Sequence, residues 1–143
     1  MASSADALLG VLEVLDRMEI PYLIGGSVAS AIHGISRPTM DADIVADFKP
    51  EHIQEFASLL KTDYYADPEA MREAISRKRA FNLIHYATTF KIDVFPLQRD
   101  EYSQTSFARR RFEESRSVGP EPIECAVASP EDTILRKLEW YRD

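Results

Sequence analysis

Two of the most strand-like stretches in this sequence carry carboxylates inside them. Asp41-Ala42-Asp43-Ile44-Val45-Ala46 begins with acids and continues apolar, and Phe90-Lys91-Ile92-Asp93-Val94-Phe95 holds a lone acid. A carboxylate in a buried strand is costly unless it is paired or bound to metal. The fold must therefore open one side of each strand to solvent or to a cation. Residues two apart on a strand share a face, with Cα atoms roughly 6.5 Å apart, so Asp41 and Asp43 are expected side by side. Two such carboxylates suit Mg²⁺, which prefers oxygen ligands. The alternatives are a hydrated strand edge for the pair and a solvated sheet face for Asp93.

The segment ahead of the acids is the second constraint. Tyr22-Leu23-Ile24 reads as a short buried strand that runs into Gly25-Gly26, and Ser27 is a good N-cap for a helix over Val28–His33 closed by Gly34. Two glycines let a phosphate approach the backbone, and a Ser hydroxyl with free N–H groups at a helix start can donate to it. A plain strand-to-helix turn is the alternative.

The remaining elements follow from periodicity. Leu8, Leu9, Leu12, Leu15 and Met18 predict a helix over Ala5–Met18, with Pro21 beyond its end. Pro50–Lys61 reads as an amphipathic helix with Ile53, Phe56, Leu59 and Leu60 on one face, and a further helix is expected over Pro68–Arg79. Phe81–Tyr86 and Phe90–Leu97 form a predicted hairpin around Ala87-Thr88-Thr89, and Arg109–Val118 and Ile123–Ala128 read as two more strands. Ser129-Pro130-Glu131-Asp132 is a helix start, with an N-cap Ser, Pro at the first position and acids in the first turn. Residues 1–143 read as a single α/β or α+β domain with a C-terminal helix from about 130, without repeats or a dividing linker.

Charge narrows the function classes. The chain carries 17 Lys+Arg against 24 Asp+Glu, net −7. Residues 1–60 hold nine acidic and three basic side chains, so nearly all the excess lies there, and Asp41, Asp43 and Asp47 sit in one short stretch of it. That balance excludes a non-specific nucleic-acid coat, which needs a basic face. It leaves RNA open as a substrate, because the second half is nearly neutral and holds the basic runs Arg77-Lys78-Arg79 and Arg109-Arg110-Arg111. Solvated helix and strand ends are the ordinary explanation of such triplets. The single cysteine, Cys125, excludes an intrachain disulfide and a Cys-rich metal site. His33, His52 and His85 have no metal-ligand spacing and read as structural or surface residues. Tyr64-Tyr65 and Trp140-Tyr141 read as core aromatics. No apolar run approaches the roughly 18 residues that span a bilayer. Asp6 and Glu13, with no basic stretch before them, argue against a secretory signal. A cytoplasmic protein without membrane contact is expected.

Taken together, a Gly-Gly-Ser turn after a strand, 13 residues, an Asp-x-Asp opening the next strand and a lone Asp in a later strand form a far more specific pattern than any one part. The pattern resembles the DNA polymerase β-like nucleotidyltransferase superfamily, in particular its small stand-alone members, including minimal nucleotidyltransferases and the nucleotidyltransferase toxins of type IV toxin–antitoxin systems. The resemblance spans roughly residues 20–97, and the stretch Ser129–Tyr141 resembles the closing helix of the toxin-like group.

The resemblance implies a twisted mixed sheet of four to six strands with helices mainly on one face. It implies transfer of a nucleoside monophosphate from an NTP, with ATP one of four candidates, to a hydroxyl of RNA such as tRNA, of a protein or of a small molecule, releasing pyrophosphate. Gly25, Gly26 and Ser27 match the loop that holds the β- and γ-phosphates. Asp41 and Asp43 match the pair bridging two Mg²⁺ ions, for which Mn²⁺ can substitute, and Asp93 matches the third ligand, which also helps deprotonate the acceptor. Lys137 falls where the toxin-like group often has a phosphate- or base-contacting lysine. Arg37, just ahead of the acids, can contact a phosphate or brace Asp41 and Asp43, or be a loop arginine with no role. An antitoxin and a second copy of the chain are the partners such a protein would take.

Two other classes compete. A non-catalytic nucleotide-binding or interaction module of the same fold is the main rival, and the intact set of acids argues against it. A nucleotide-sugar glycosyltransferase could also use Asp-x-Asp for metal, but its usual fold needs a much longer chain.

Overall fold

A computed structural model describes residues 4–25, 41–109, 111–115 and 123–127 of the 143. The expected helix over Val28–His33 and the C-terminal helix from about 130, with Trp140 and Tyr141, lie outside the described residues. In chain order the described elements are α1 (Ser4–Arg17), β1 (Tyr22–Gly25), β2 (Asp41–Ala46), a 3-10 turn (Pro50–His52), α2 (Ile53–Leu60), β3 (Tyr64–Tyr65), α3 (Pro68–Ser76), β4 (Phe81–His85), β5 (Lys91–Pro96), α4 (Glu101–Ala108), β6 (Arg111–Ser115) and β7 (Ile123–Val127).

The strands form one mixed sheet in the order β3-β4-β5-β2-β1-β7-β6. Strand β2 lies between β1, its antiparallel neighbour, and β5, which runs parallel to it. β4 is antiparallel to β5, as the predicted hairpin requires, and β1 and β7 run parallel. The sheet is mixed as expected, but it reaches seven strands among the described residues rather than four to six. The addition is the two-residue edge strand Tyr64–Tyr65, which pairs with His85 and Ile84.

Alternation along the strands divides the molecule into two layers. Ile24, Ala42, Ile44, Leu83, Ile92 and Val94 point to one face and pack in the main core with α1, α2 and α3. On α1 the inward positions are Leu8, Val11, Leu12 and Leu15; on α2 they are Ile53, Phe56 and Leu60. Phe48, Phe56 and Phe81 fill the centre, Phe56 edge to face with Phe48 at a centroid distance of 4.9 Å and Phe81 tilted against it at 5.2 Å. Burying a side chain such as Phe56 contributes roughly 2–3 kcal/mol. The other face carries a smaller cluster of Leu23, Val45 and Phe107 with Phe95 and Leu97, covered by α4. Three of the four described α-helices thus share one face.

Local chemistry fixes the helix ends. Asp67 caps α3 by accepting from the Glu69 N–H, and Pro68 takes the first helical position, where no donor is needed. Asp100 caps α4 through the Ser103 N–H at 2.8 Å. Helix α4 has no counterpart among the sequence expectations; Arg109, expected in a strand over Arg109–Val118, instead caps its end, and the strand is described over Arg111–Ser115. No described helix is long and apolar enough to cross a membrane.

Candidate functional site

The alternation that sends Ala42 and Ile44 into the main core sends Asp43 to the opposite face, with Val45. On β5 the same rule buries Ile92 and Val94 and turns Asp93 outward with Phe95. Register brings the acids together: Asp43 pairs with Asp93 across β2 and β5, and Gly25 pairs with Asp43 across β1 and β2. Asn82 pairs with Asp93 from the far side. Four consecutive strands thus contribute Asn82, Asp93, Asp43 and Gly25 to a single row across the sheet. Neighbouring strands are about 4.8 Å apart, close enough for two carboxylates on adjacent strands to bind one cation.

Asp41 opens β2 in register with Lys91, two residues along the strand from Asp43. Lys91 also reaches Asp93, with Nζ 3.7 Å from Oδ1. The Asp93 side chain is 19% exposed and that of Lys91 48%, so the acid is sheltered while the lysine is largely in solvent. Such an exposed partner contributes little to stability but places a positive charge beside the acids.

Of the eight residues expected in the site, four are described. Gly25, Asp43 and Asp93 lie in the shared row, and Asp41 begins the strand that carries Asp43. Gly26, Ser27, Arg37 and Lys137 lie outside the described residues. Among the described residues no group of three His, Cys, Asp or Glu side chains is gathered tightly enough to hold a metal. The donors that Asp43 and Asp93 supply are all oxygen, the set that hard divalent cations prefer. His85 is buried and bonds through Nδ1 to the Thr88 hydroxyl at 2.8 Å, and His52 Nδ1 accepts from the Lys49 N–H at 3.0 Å; His33 lies outside the described residues.

Sequence reasoning missed the neighbourhood of the row. Val45 and Phe95 stand two residues beyond Asp43 and Asp93 on the same face, and they begin the floor of a cavity of about 320 Å³. Lys78 and Arg79, which precede β4, stand at its rim together with Gln98 and Tyr102. Only the basic run itself is visible in the sequence.

Two solved structures share this arrangement of elements. One is a candidate nucleotidyltransferase, TM1012 from Thermotoga maritima, with a TM-score of 0.63, 17% identity and alignment over 95% of this chain and 83% of that one. The other is the lincosamide antibiotic adenylyltransferase LnuA in its lincomycin-bound form, with a TM-score of 0.59, 14% identity and alignment over 90% and 82% of the two chains. No protein-family model matches the sequence, and no curated protein matches it. The chain shares its fold with these two proteins.

Proposed function

We propose that this protein is a metal-dependent nucleotidyltransferase that moves a nucleoside monophosphate from an NTP to a hydroxyl acceptor and releases pyrophosphate. The observation that carries the reading is the register match of Asp43 with Asp93 on the sheet face away from the main core, with Gly25 in the same row. The fold shared with a lincosamide adenylyltransferase supports it.

In this reading Asp41, Asp43 and Asp93 hold Mg²⁺, with Mn²⁺ as a substitute. When bound, the metal neutralises the triphosphate and stabilises the leaving pyrophosphate. Gly25, Gly26 and Ser27 receive the β- and γ-phosphates through backbone N–H groups and the Ser27 hydroxyl. Arg37 and Lys137 are assigned to the phosphates or the base. The acceptor oxygen forms a bond to the α-phosphorus as the bond from that phosphorus to the pyrophosphate oxygen breaks. Pyrophosphate leaves with the electron pair, and the hydroxyl proton passes to the Asp93 carboxylate. RNA, protein and small molecules are the acceptor classes, and a cytoplasmic setting with an antitoxin or a second copy as partner belongs to the same reading.

The test incubates the protein with each labelled NTP, Mg²⁺ and RNA, protein or small-molecule acceptors. Transfer should be lost by a factor of about 10² or more on Asp93→Asn, the range for a removed catalytic acid–base group, and should also be lost on Asp43→Asn, which removes a metal ligand. Transfer that survives either substitution overturns the mechanism. NTP binding without transfer to any acceptor would instead support a non-catalytic module.

A further inference from the structure

We propose that the cavity beside the acid row is the acceptor pocket, and that it takes a small molecule with an apolar body and one anionic group, a carboxylate or a phosphate. This inference rests on the transferase reading for the word acceptor; the anion pocket itself does not.

The lining divides by chemistry. Val45, Phe95 and Leu97 give an apolar floor continuous with the small core under α4. A cavity of about 320 Å³ falls at the small end of the range for ligand pockets, roughly 300–1,000 Å³, which suits a compact molecule rather than a polymer. Lys78 and Arg79 stand at the rim. In a chain of net −7 these are two adjacent cations, and among the described residues neither forms an ion pair, whereas Arg77 just before them pairs with Glu73 at 3.4 Å. Asp100 lines the cavity too, and its carboxylate accepts from the Ser103 N–H and from the Ser103 hydroxyl, both at 2.8 Å. Gln98 likewise donates to the Pro96 carbonyl at 2.9 Å. With Lys78 and Arg79 against the single carboxylate of Asp100, the described lining carries more positive than negative charge.

The backbone holds this charge in place. After α3 the Lys78 N–H bonds to the Ile75 carbonyl at 3.1 Å and the Arg79 N–H to the Ala74 carbonyl at 2.8 Å, with Lys78 in the left-handed region at φ 57. This is the helix ending that normally selects glycine. Glu19 ends α1 in the same conformation, so the turn alone marks no site; the cavity gives it meaning. Reach is the last condition. Val45 is two residues past Asp43, about 6.6 Å along the strand, so a hydroxyl on the far end of a seated molecule comes up to the Asp row.

The test uses phenyl phosphate and benzoate as separate anionic probes, with benzyl alcohol as the neutral control, followed by amide NMR titration of the full chain. One or both anions should shift the amides of Lys78, Arg79 and Gln98, and which of them does so distinguishes phosphate from carboxylate. The double variant Lys78→Gly, Arg79→Gln should weaken that binding by about tenfold or more, the loss of a charge-assisted contact. Glycine relaxes the left-handed turn, so this variant folds at least as well. Asp93→Asn should not weaken probe binding, because it removes a negative charge near the anion. Equal binding by the double variant, equal binding of benzyl alcohol, or no shift at these amides overturns the proposal. If the probes bind as expected and no NTP is turned over with any acceptor, the transferase reading fails while the pocket stands. If transfer is found and its KM for the acceptor ignores the double substitution, the pocket assignment fails alone.

Discussion

Asp43 and Asp93 are register partners on adjacent parallel strands, and both stand on the face that α1, α2 and α3 leave uncovered. Like-charged partners directly opposite one another repel, and a bound divalent cation turns that repulsion into attraction. Mg²⁺ should therefore stabilise the fold by mass action, by about 2.7 kcal/mol at a hundredfold excess over its dissociation constant. Thermal unfolding with Mg²⁺ and with EDTA measures the increment. It should shrink sharply in Asp43→Asn and in Asp93→Asn. An undiminished Mg²⁺ response in both variants would place the cation elsewhere.

Lys91 stands next to the same acids, with Nζ 3.7 Å from Asp93 Oδ1. A cation entering the row meets this positive charge, at a Coulomb cost of about 1 kcal/mol for a divalent ion and a unit charge about 8 Å apart in water. Lys91→Met should tighten Mg²⁺ binding about three- to tenfold, read by titration calorimetry, and leave the melting temperature in EDTA nearly unchanged because the lysine end of the pair is about half in solvent. Weaker Mg²⁺ binding in this variant would mean that the lysine orders Asp93 rather than competing for it.

The acid row was legible because its signal is local: a carboxylate in an apolar strand must face outward, and a spacing of two keeps neighbours together. Register across strands is a different matter. Nothing in the two sequences says that Asp43 meets Asp93 rather than Lys91 or Phe95; the pairing of β2 with β5 decides it. Helix α4 escaped because Tyr102 and Phe107, its large apolar residues, are five apart and make no stripe; only the cap at Asp100 signals it. Tyr64 and Tyr65 were expected together in the core, but alternation on their short strand buries Tyr64 and leaves Tyr65 43% exposed. The cavity was invisible for a simpler reason. Its cations and its polar rim come from segments about twenty residues apart that only the sheet brings together.

Gly10 sits on α1 where Tyr64 crosses it. A Cβ there would overlap the Tyr64 hydroxyl oxygen and lie 3.3 Å from Cζ, in a ring that is buried and held by its hydroxyl to the Ala7 carbonyl. Alanine gains up to about 1 kcal/mol of helix propensity, and overpacking costs about 1–3 kcal/mol. Gly10→Ala should therefore destabilise the protein, by about 1 kcal/mol in urea titration. In a Tyr64→Phe background the cost should fall, because the overlapping atom is gone. A Gly10→Ala variant more stable than the parent would show that the ring moves aside freely.

Tyr64 also sets the alkaline limit of the fold. Burial raises its pKa to about 12, and the carboxylates Asp63, Glu13 and Asp6 add to the rise by opposing a phenolate. In the unfolded chain the group titrates near 10. Below pH 10 the phenol is neutral in both states and its contribution is complete. Between about 10 and 12 the unfolded chain sheds the proton and the folded one keeps it, so stability falls as pH rises, by roughly 2–3 kcal/mol at 1.36 kcal/mol per unit. Tyr64→Phe removes that titration but also the hydrogen bond to Ala7, worth about 1 kcal/mol. At pH 7 the variant should be the less stable protein, and the gap should close and reverse as pH approaches 12. Urea titrations across that range measure the crossing directly. Parallel curves for the two proteins would mean that Tyr64 ionises in the folded state as readily as in water.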